Sequence, residues 1–201
     1  MKSIVLIILF FCTQHINSQP AFFADLGIGG QGSVVLTGAS IGIGTLASKN
    51  ILFLGGLKFS KFFLNSQSED EKTNSIYETD LLIGARYSFI VLNFGKLAEI
   101  EQMGVFFEGR GYFCPYIQDN LMYTNNKDEK VYVNGKYTTQ FGYGLGTGLF
   151  IGSIAEAYFA IRYDMCTIDP FAKVRTFEET KNEFSFPTGI QHIVSLSVYF
   201  N

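Results

Sequence analysis

Charge is scarce in this sequence. Lys, Arg, Asp and Glu make up 16% of the chain, against about 25% in ordinary soluble domains. No run of basic residues occurs, which argues against nucleic acid as a partner. Cysteine is also sparse. Of the three present, Cys12 lies in the first segment, leaving Cys114 and Cys166. Two thiols without CxxC spacing make neither a disulfide framework nor a metal site. Both fall near the ends of candidate strands and read as small, semi-buried residues. A bridge between them would need a close approach of their Cα atoms. After Phe11 there is no second long apolar run, which excludes a helical membrane protein.

What the chain does have is a leader, glycine and aromatic rings. Lys2 precedes the apolar run Ile4–Phe11, and small and polar residues follow up to Ser18. That is the layout of a secretory signal peptide, too short to span a bilayer. Residues 1–18 are expected to be removed near Ser18. The bulky Phe11 before Cys12 argues against a lipoprotein box. Residues 19–201 then form one domain of 183 residues (201 minus 18), with Lys2 gone and the formal charge moved from −3 to −4. Phe and Tyr supply the whole aromatic share of 16%, and there are 21 glycines.

The rings are ordered along the chain. In EAYFAIRYD, Glu156, Tyr158, Ala160, Arg162 and Asp164 fall on one parity, and Ala157, Phe159, Ile161 and Tyr163 on the other. Alternation of period two is a strand signature. Eight such strands are predicted, over 21–30, 34–47, 50–63, 77–91, 102–116, 136–150, 154–166 and 188–200. Asp80, Gly84 and Arg86 oppose Leu81, Ile83 and Tyr87. Glu108, Arg110 and Tyr112 oppose Met103, Val105 and Phe107. Gln191, Ser195 and Ser197 oppose Val194, Leu196 and Phe200. The first three strands are glycine-rich, with Asp25, Ser40, Lys58 and Ser60 on the polar side. Apart from a short first connection, long segments (64–76, 117–135, 167–187) alternate with short turns. An Asn134-Gly135 hairpin signal suggests a small ribbon within the second long segment.

The same two faces fit two opposite barrels. A soluble, lipocalin-like barrel turns its apolar face inward around a ligand. A membrane barrel turns it to lipid. Three features select the second. The polar face is mostly Gly, Ser and Thr with isolated charges, whereas a water-facing surface carries many more. The Phe, Tyr, Leu and Ile of the other face would overfill an eight-stranded interior. The polar-face charges nearly balance, with Asp25, Asp80, Glu108, Glu156 and Asp164 against Lys58, Arg86, Arg110 and Arg162. Near balance suits a closed lumen in which buried charges must be paired. The predicted fold is therefore all-β, an eight-stranded antiparallel up-and-down transmembrane β-barrel. The nine charges are expected to form a structural network that plugs its lumen.

With this pattern and the last strand IVSLSVYFN, the chain resembles the small eight-stranded outer-membrane barrels of the OmpA/OmpX type, in the form common among Bacteroidota. The resemblance covers the whole mature chain and includes no catalytic motif. It implies a place in the outer membrane among its lipids and lipopolysaccharide, and loops presented to an extracellular ligand. It also implies insertion by the barrel-assembly machinery, which reads a terminal aromatic residue. Leu196, Val198 and Phe200 match that signal, although Asn201 follows.

The expected function is non-enzymatic, in envelope structure or surface interaction, with no cofactor and no bound metal. A narrow porin-like channel is the alternative, and a lipid A-modifying enzyme a remote one. His192, on the lipid-facing parity, lacks a same-face serine nucleophile and reads as a girdle residue. The acidic SEDEK segment, 68–72, matches no calcium loop. GIGGQG, 27–32, precedes no helix pattern and so lacks the mechanism of a phosphate loop.

Overall fold

A computed structural model describes residues 20–32, 34–48, 50–64, 74–94, 101–117, 120–124, 130–134, 139–154, 156–170 and 189–200. The leader and the SEDEK segment lie outside the described residues. The elements are β1 (Pro20–Gln31), β2 (Val34–Ser48), β3 (Ile51–Leu64), β4 (Asn74–Asn93), β5 (Gln102–Ile117), β6 (Asn120–Thr124), β7 (Lys130–Asn134), β8 (Gln140–Gly152), β9 (Ala157–Cys166) and β10 (Gln191–Phe200). Eight of them close into a barrel in the order β1-β10-β9-β8-β5-β4-β3-β2, and every neighbouring pair is antiparallel. Each strand therefore pairs with its neighbours in sequence, and β1 meets β10 with Phe22 opposite Phe200. Closure leaves no edge to aggregate. No helix among the described residues is long and apolar enough to cross a membrane, which has no bearing on crossing by strands.

Alternating side chains sort to the two faces. Along β9 the even residues Tyr158 to Cys166 are buried and the odd residues Phe159 to Met165 are exposed. The same order holds on β10, where Gln191, Ile193, Ser195, Ser197 and Tyr199 turn inward. The outward face is apolar, with Leu26, Ile83 and Phe141 exposed by 70%, 72% and 80%.

Turn chemistry explains where the strands stop. Gly32 has φ 59°, a left-handed value that suits glycine, and it reverses the chain between β1 and β2. At the same end, β6 and β7 form the expected ribbon. Asn134 pairs with Asn120 at its open end, so Asn134-Gly135 does not make its turn. On β5, Pro115 brings no N–H to the ladder. There the register with β4 slips between Thr79 and Leu81, as expected of proline in a sheet.

Candidate functional site

The lumen is built from the inward faces of all eight barrel strands. At the short-turn end its floor is aromatic. Tyr158 and Tyr199 stack with centroids 4.5 Å apart, and Phe23 lies 5.8 Å beyond Tyr199. Phe106 and Phe150 are buried beside them. The polar lumen expected from the sequence is thus corrected. It has an apolar floor, and near the long-segment end Leu36, Phe62 and Ile76 are buried as well.

Above the floor stands an arginine–carboxylate lattice. Arg86 donates from Nε to Glu108 Oε2 at 2.7 Å and from Nη1 to the Tyr158 hydroxyl at 2.9 Å, and Nη2 donates to the Tyr199 hydroxyl. Its guanidinium carbon lies 3.9 Å from the Phe106 ring centroid. The other Glu108 oxygen accepts from Arg110 Nε. Arg110 reaches Asp25 Oδ2 at 3.3 Å, and Arg162 donates to that oxygen at 2.8 Å and to Asp164 at 2.5 Å. Three guanidinium groups thus face the three carboxylates of Asp25, Glu108 and Asp164, a locally neutral set. Forked arginine heads suit this bridging because each presents several donors in fixed directions.

Space for these long side chains comes from β8. Its inward positions Gly142, Gly144, Gly146 and Gly148 have no side chains, and a Cβ on Gly148 would sit 2.6 Å from the Phe106 ring. The void among Asp25, Ser40, Lys58, Arg110 and Asp164 holds about 20 Å³ of room for water centres. That accommodates about one water.

A second cluster lies toward the mouth. Lys58 Nζ donates to Glu78 Oε1 at 2.9 Å, Asp80 Oδ2 at 3.1 Å and Gln191 Oε1 at 3.2 Å. Its ammonium also lies 5.1 Å from the centroid of the Tyr112 ring. Gln191 in turn donates to Ile168 O at 2.9 Å. Ile168 is fully buried and fills the space over Gly142. Gln31 donates to Asp169 Oδ1 at 3.0 Å, and Gln140 donates to Asp169 O at 2.9 Å. Three glutamines from three strands therefore hold the segment after β9 down into the barrel mouth.

Of the nine lumenal charges expected from the sequence, eight lie in these two clusters: Asp25, Lys58, Asp80, Arg86, Glu108, Arg110, Arg162 and Asp164. Glu156 does not. It is exposed in the turn before β9, where Ser153 N donates to Ala157 O at 2.8 Å and Glu156 N donates to Ser153 O at 3.2 Å. Its inward parity has no meaning there, because the strand begins only at Ala157. Glu78 takes its place and is 1% exposed. It shares the parity of Asp80, and that signal alone would have found it.

On the outward face, Leu196 and Phe200 are exposed and Val198 half-buried. His192 is exposed and shares a 2.6 Å hydrogen bond through Nδ1 with the Tyr163 hydroxyl. The two cysteines are buried on β5 and β9, with β8 between them, and Cys114 Sγ donates to Thr79 O at 3.4 Å. Gly27 to Gly32 form the end of β1 and its turn. Among the described residues no group of His, Cys, Asp and Glu is arranged to hold a metal ion.

No family model matches the chain, and no curated protein matches it. Among solved structures it is similar to Neisserial surface protein A, with a TM-score of 0.50 and 10% identity over 90% of this chain and 94% of that one. Ail, the attachment invasion locus protein of Yersinia pestis, solved with the heparin analogue sucrose octasulfate, aligns with a TM-score of 0.41 and 7% identity over 91% and 96% of the two chains. At 10% identity the first likeness is one of fold.

Proposed function

We propose that the chain is a non-enzymatic integral outer-membrane barrel whose plugged lumen serves stability and whose long connecting segments face the outside. One observation carries this reading. Among the described residues of the barrel strands, Lys61 is the one charged side chain of outward parity. A belt so free of charge, with rings and aliphatic chains exposed all around, is unstable in water and suited to hydrocarbon. Lys61 fits the same picture. Its ammonium lies 4.9 Å from the Phe63 ring centroid and 5.5 Å from that of Tyr77, at the long-segment end of the belt. Aromatic and lysine side chains anchor barrels at that level, the lysine reaching its charge toward the headgroups.

Export by residues 1–18, recognition of Leu196, Val198 and Phe200 by the assembly machinery, and contact with outer-membrane lipids and lipopolysaccharide belong to the same proposal. So does a surface role for the long segments, for which the fold likeness to a Neisserial surface protein offers support by analogy only. A filled lumen weighs against the channel alternative.

The test is fractionation of cells expressing the full chain. It should sediment with outer membranes, resist carbonate extraction, and migrate differently on gels before and after boiling. Recovery as a soluble periplasmic protein without detergent would overturn the reading and restore the lipocalin-like one.

A further inference from the structure

The apolar belt is not smooth. On β1 to β4, Leu26, Ala39, Phe59 and Thr79 lie side by side in one outward row. The next row toward the long segments is Ile28, Thr37, Lys61 and Tyr77. Leu26 and Phe59 are 70% and 43% exposed and stand clear of the sheet, whereas the short side chains of Thr37 and Ala39 leave β2 low between them. The result is an open hollow of about 480 Å³, within the range of small-molecule sites, about 300–1,000 Å³.

Polar groups gather in this hollow. Lys61, the one outward charge among the described residues of the barrel strands, lines it, with its ammonium over the Phe63 and Tyr77 rings. Thr37, Tyr77 and Thr79 add three hydroxyls. Elsewhere on the belt the outward hydroxyls of Thr147 and Tyr163 are satisfied by Phe106 O and His192. Those of Thr37, Tyr77 and Thr79 bond to no described residue. A second outward hollow, of about 440 Å³ beside Ala85, Tyr87, Phe107 and Leu145, holds no outward charge.

We infer that the hollow on β1 to β4 seats one phosphorylated lipid, the lipid A anchor of lipopolysaccharide. Its phosphate lies at Lys61 and the neighbouring hydroxyls, and an acyl chain lies over Ala39 between Leu26 and Phe59. The class of ligand follows from the lining. A cation and three hydroxyl donors match an anion with several acceptor oxygens, and the apolar walls match a hydrocarbon tail joined to it. The source follows from the level in the membrane. Lys61 is three positions before the end of β3 at Leu64, where a long segment begins. The inference rests on the reading proposed above, which turns that end to the outside and so places Lys61 in the leaflet of lipopolysaccharide. Glu69, Asp70 and Glu71, in the segment joining β3 to β4, lie outside the described residues and enter the test.

The refolded mature chain, inserted into phosphatidylcholine vesicles that contain lipid A, tests this by native mass spectrometry of the released barrel. The unmutated chain should keep one lipid A, and much less of the form stripped of its phosphates. Lys61→Gln should lower retention of the phosphorylated form about fivefold, the worth of one lysine at anionic headgroups. Ala39→Leu, which fills the floor, should lower retention of both forms, and Ala85→Leu, in the second hollow, of neither. Unchanged retention in Lys61→Gln or in Ala39→Leu overturns the inference. So does retention that appears only once Glu69, Asp70 and Glu71 are neutralised, because Lys61 is then paired within the chain. Gel mobility before and after boiling reports insertion in the same vesicles. An inserted barrel that keeps no lipid A sinks the inference alone, and a chain that never inserts sinks the membrane reading with it.

Discussion

Tyr158 and Tyr199 lie face to face, at an interplanar angle of 7°, and both hydroxyls accept hydrogen bonds from Arg86. The pair joins two strands near the barrel seam and turns an aromatic floor into a support for a buried cation. Arg86 is 1% exposed and packs across Phe106. Its charge is thus matched by Glu108 on one side and by ring faces and phenol oxygens on the others.

Replacing Arg86 by Met is expected to leave Glu108 short of a partner and to lower stability by about 3–5 kcal/mol. Tyr199→Phe removes one bond to a charged group and should cost about 1.5–3 kcal/mol. Urea unfolding of the refolded chain in lipid vesicles measures both. Equal and negligible losses would show that the lattice is not what stabilises the barrel.

A charge scan reads the orientation of the two faces. Phe159→Arg and Leu196→Arg place a cation in the apolar belt and should cost about 2–4 kcal/mol near its middle. Ser197→Ala removes a buried hydroxyl that has no partner and should be close to neutral. The same unfolding experiment decides, and a reversed order would contradict the outward assignment of the apolar face.

Gly148 tests whether the bare inward line of β8 is needed. Its Cβ position runs into the Ile161 carbonyl of β9 and then the Phe106 ring, so Gly148→Leu must shift the β9 backbone as well as displace the ring beneath Arg86. Overpacking of this kind costs about 1–3 kcal/mol. A variant as stable as the parent, by thermal melting followed on heat-modified gel mobility, would mean that neither the β8–β9 approach nor the floor needs the bare position.

Conductance in planar bilayers should distinguish the lumenal carboxylates from the turn. The unmutated barrel is expected to show no sustained openings. Glu156→Gln should behave identically, with a stability change within about 0.5 kcal/mol. Glu108→Gln removes the charge shared by Arg86 and Arg110 and should destabilise the chain and raise its leak. Ion-selective openings in the unmutated protein would favour the channel alternative.

Much of this architecture was legible in the chain itself. A period of two assigns every residue of a strand to one of two faces, and the rings and charges separate cleanly between them. That is why the alternation alone places Asp25, Lys58, Arg86, Arg110 and Arg162 on one face. Parity is silent about where a strand ends. The alternation in EAYFAIRYD continues past the turn and so assigns Glu156 to the inside, whereas Glu78, near the start of β4, carries the inward parity and lies inside.

Partnership, by contrast, is a property of closure. Asp25 and Arg162 are 137 positions apart and meet at 2.8 Å because β1 pairs with β10. The sequence alone determined that an apolar face and a charged face exist, since alternation is local and each residue carries it. Only the tertiary structure decided which acid meets which base, which inward rings form a floor, and that Ile168 folds into the mouth. Those outcomes depend on distances across a closed ring of strands, which no local pattern contains.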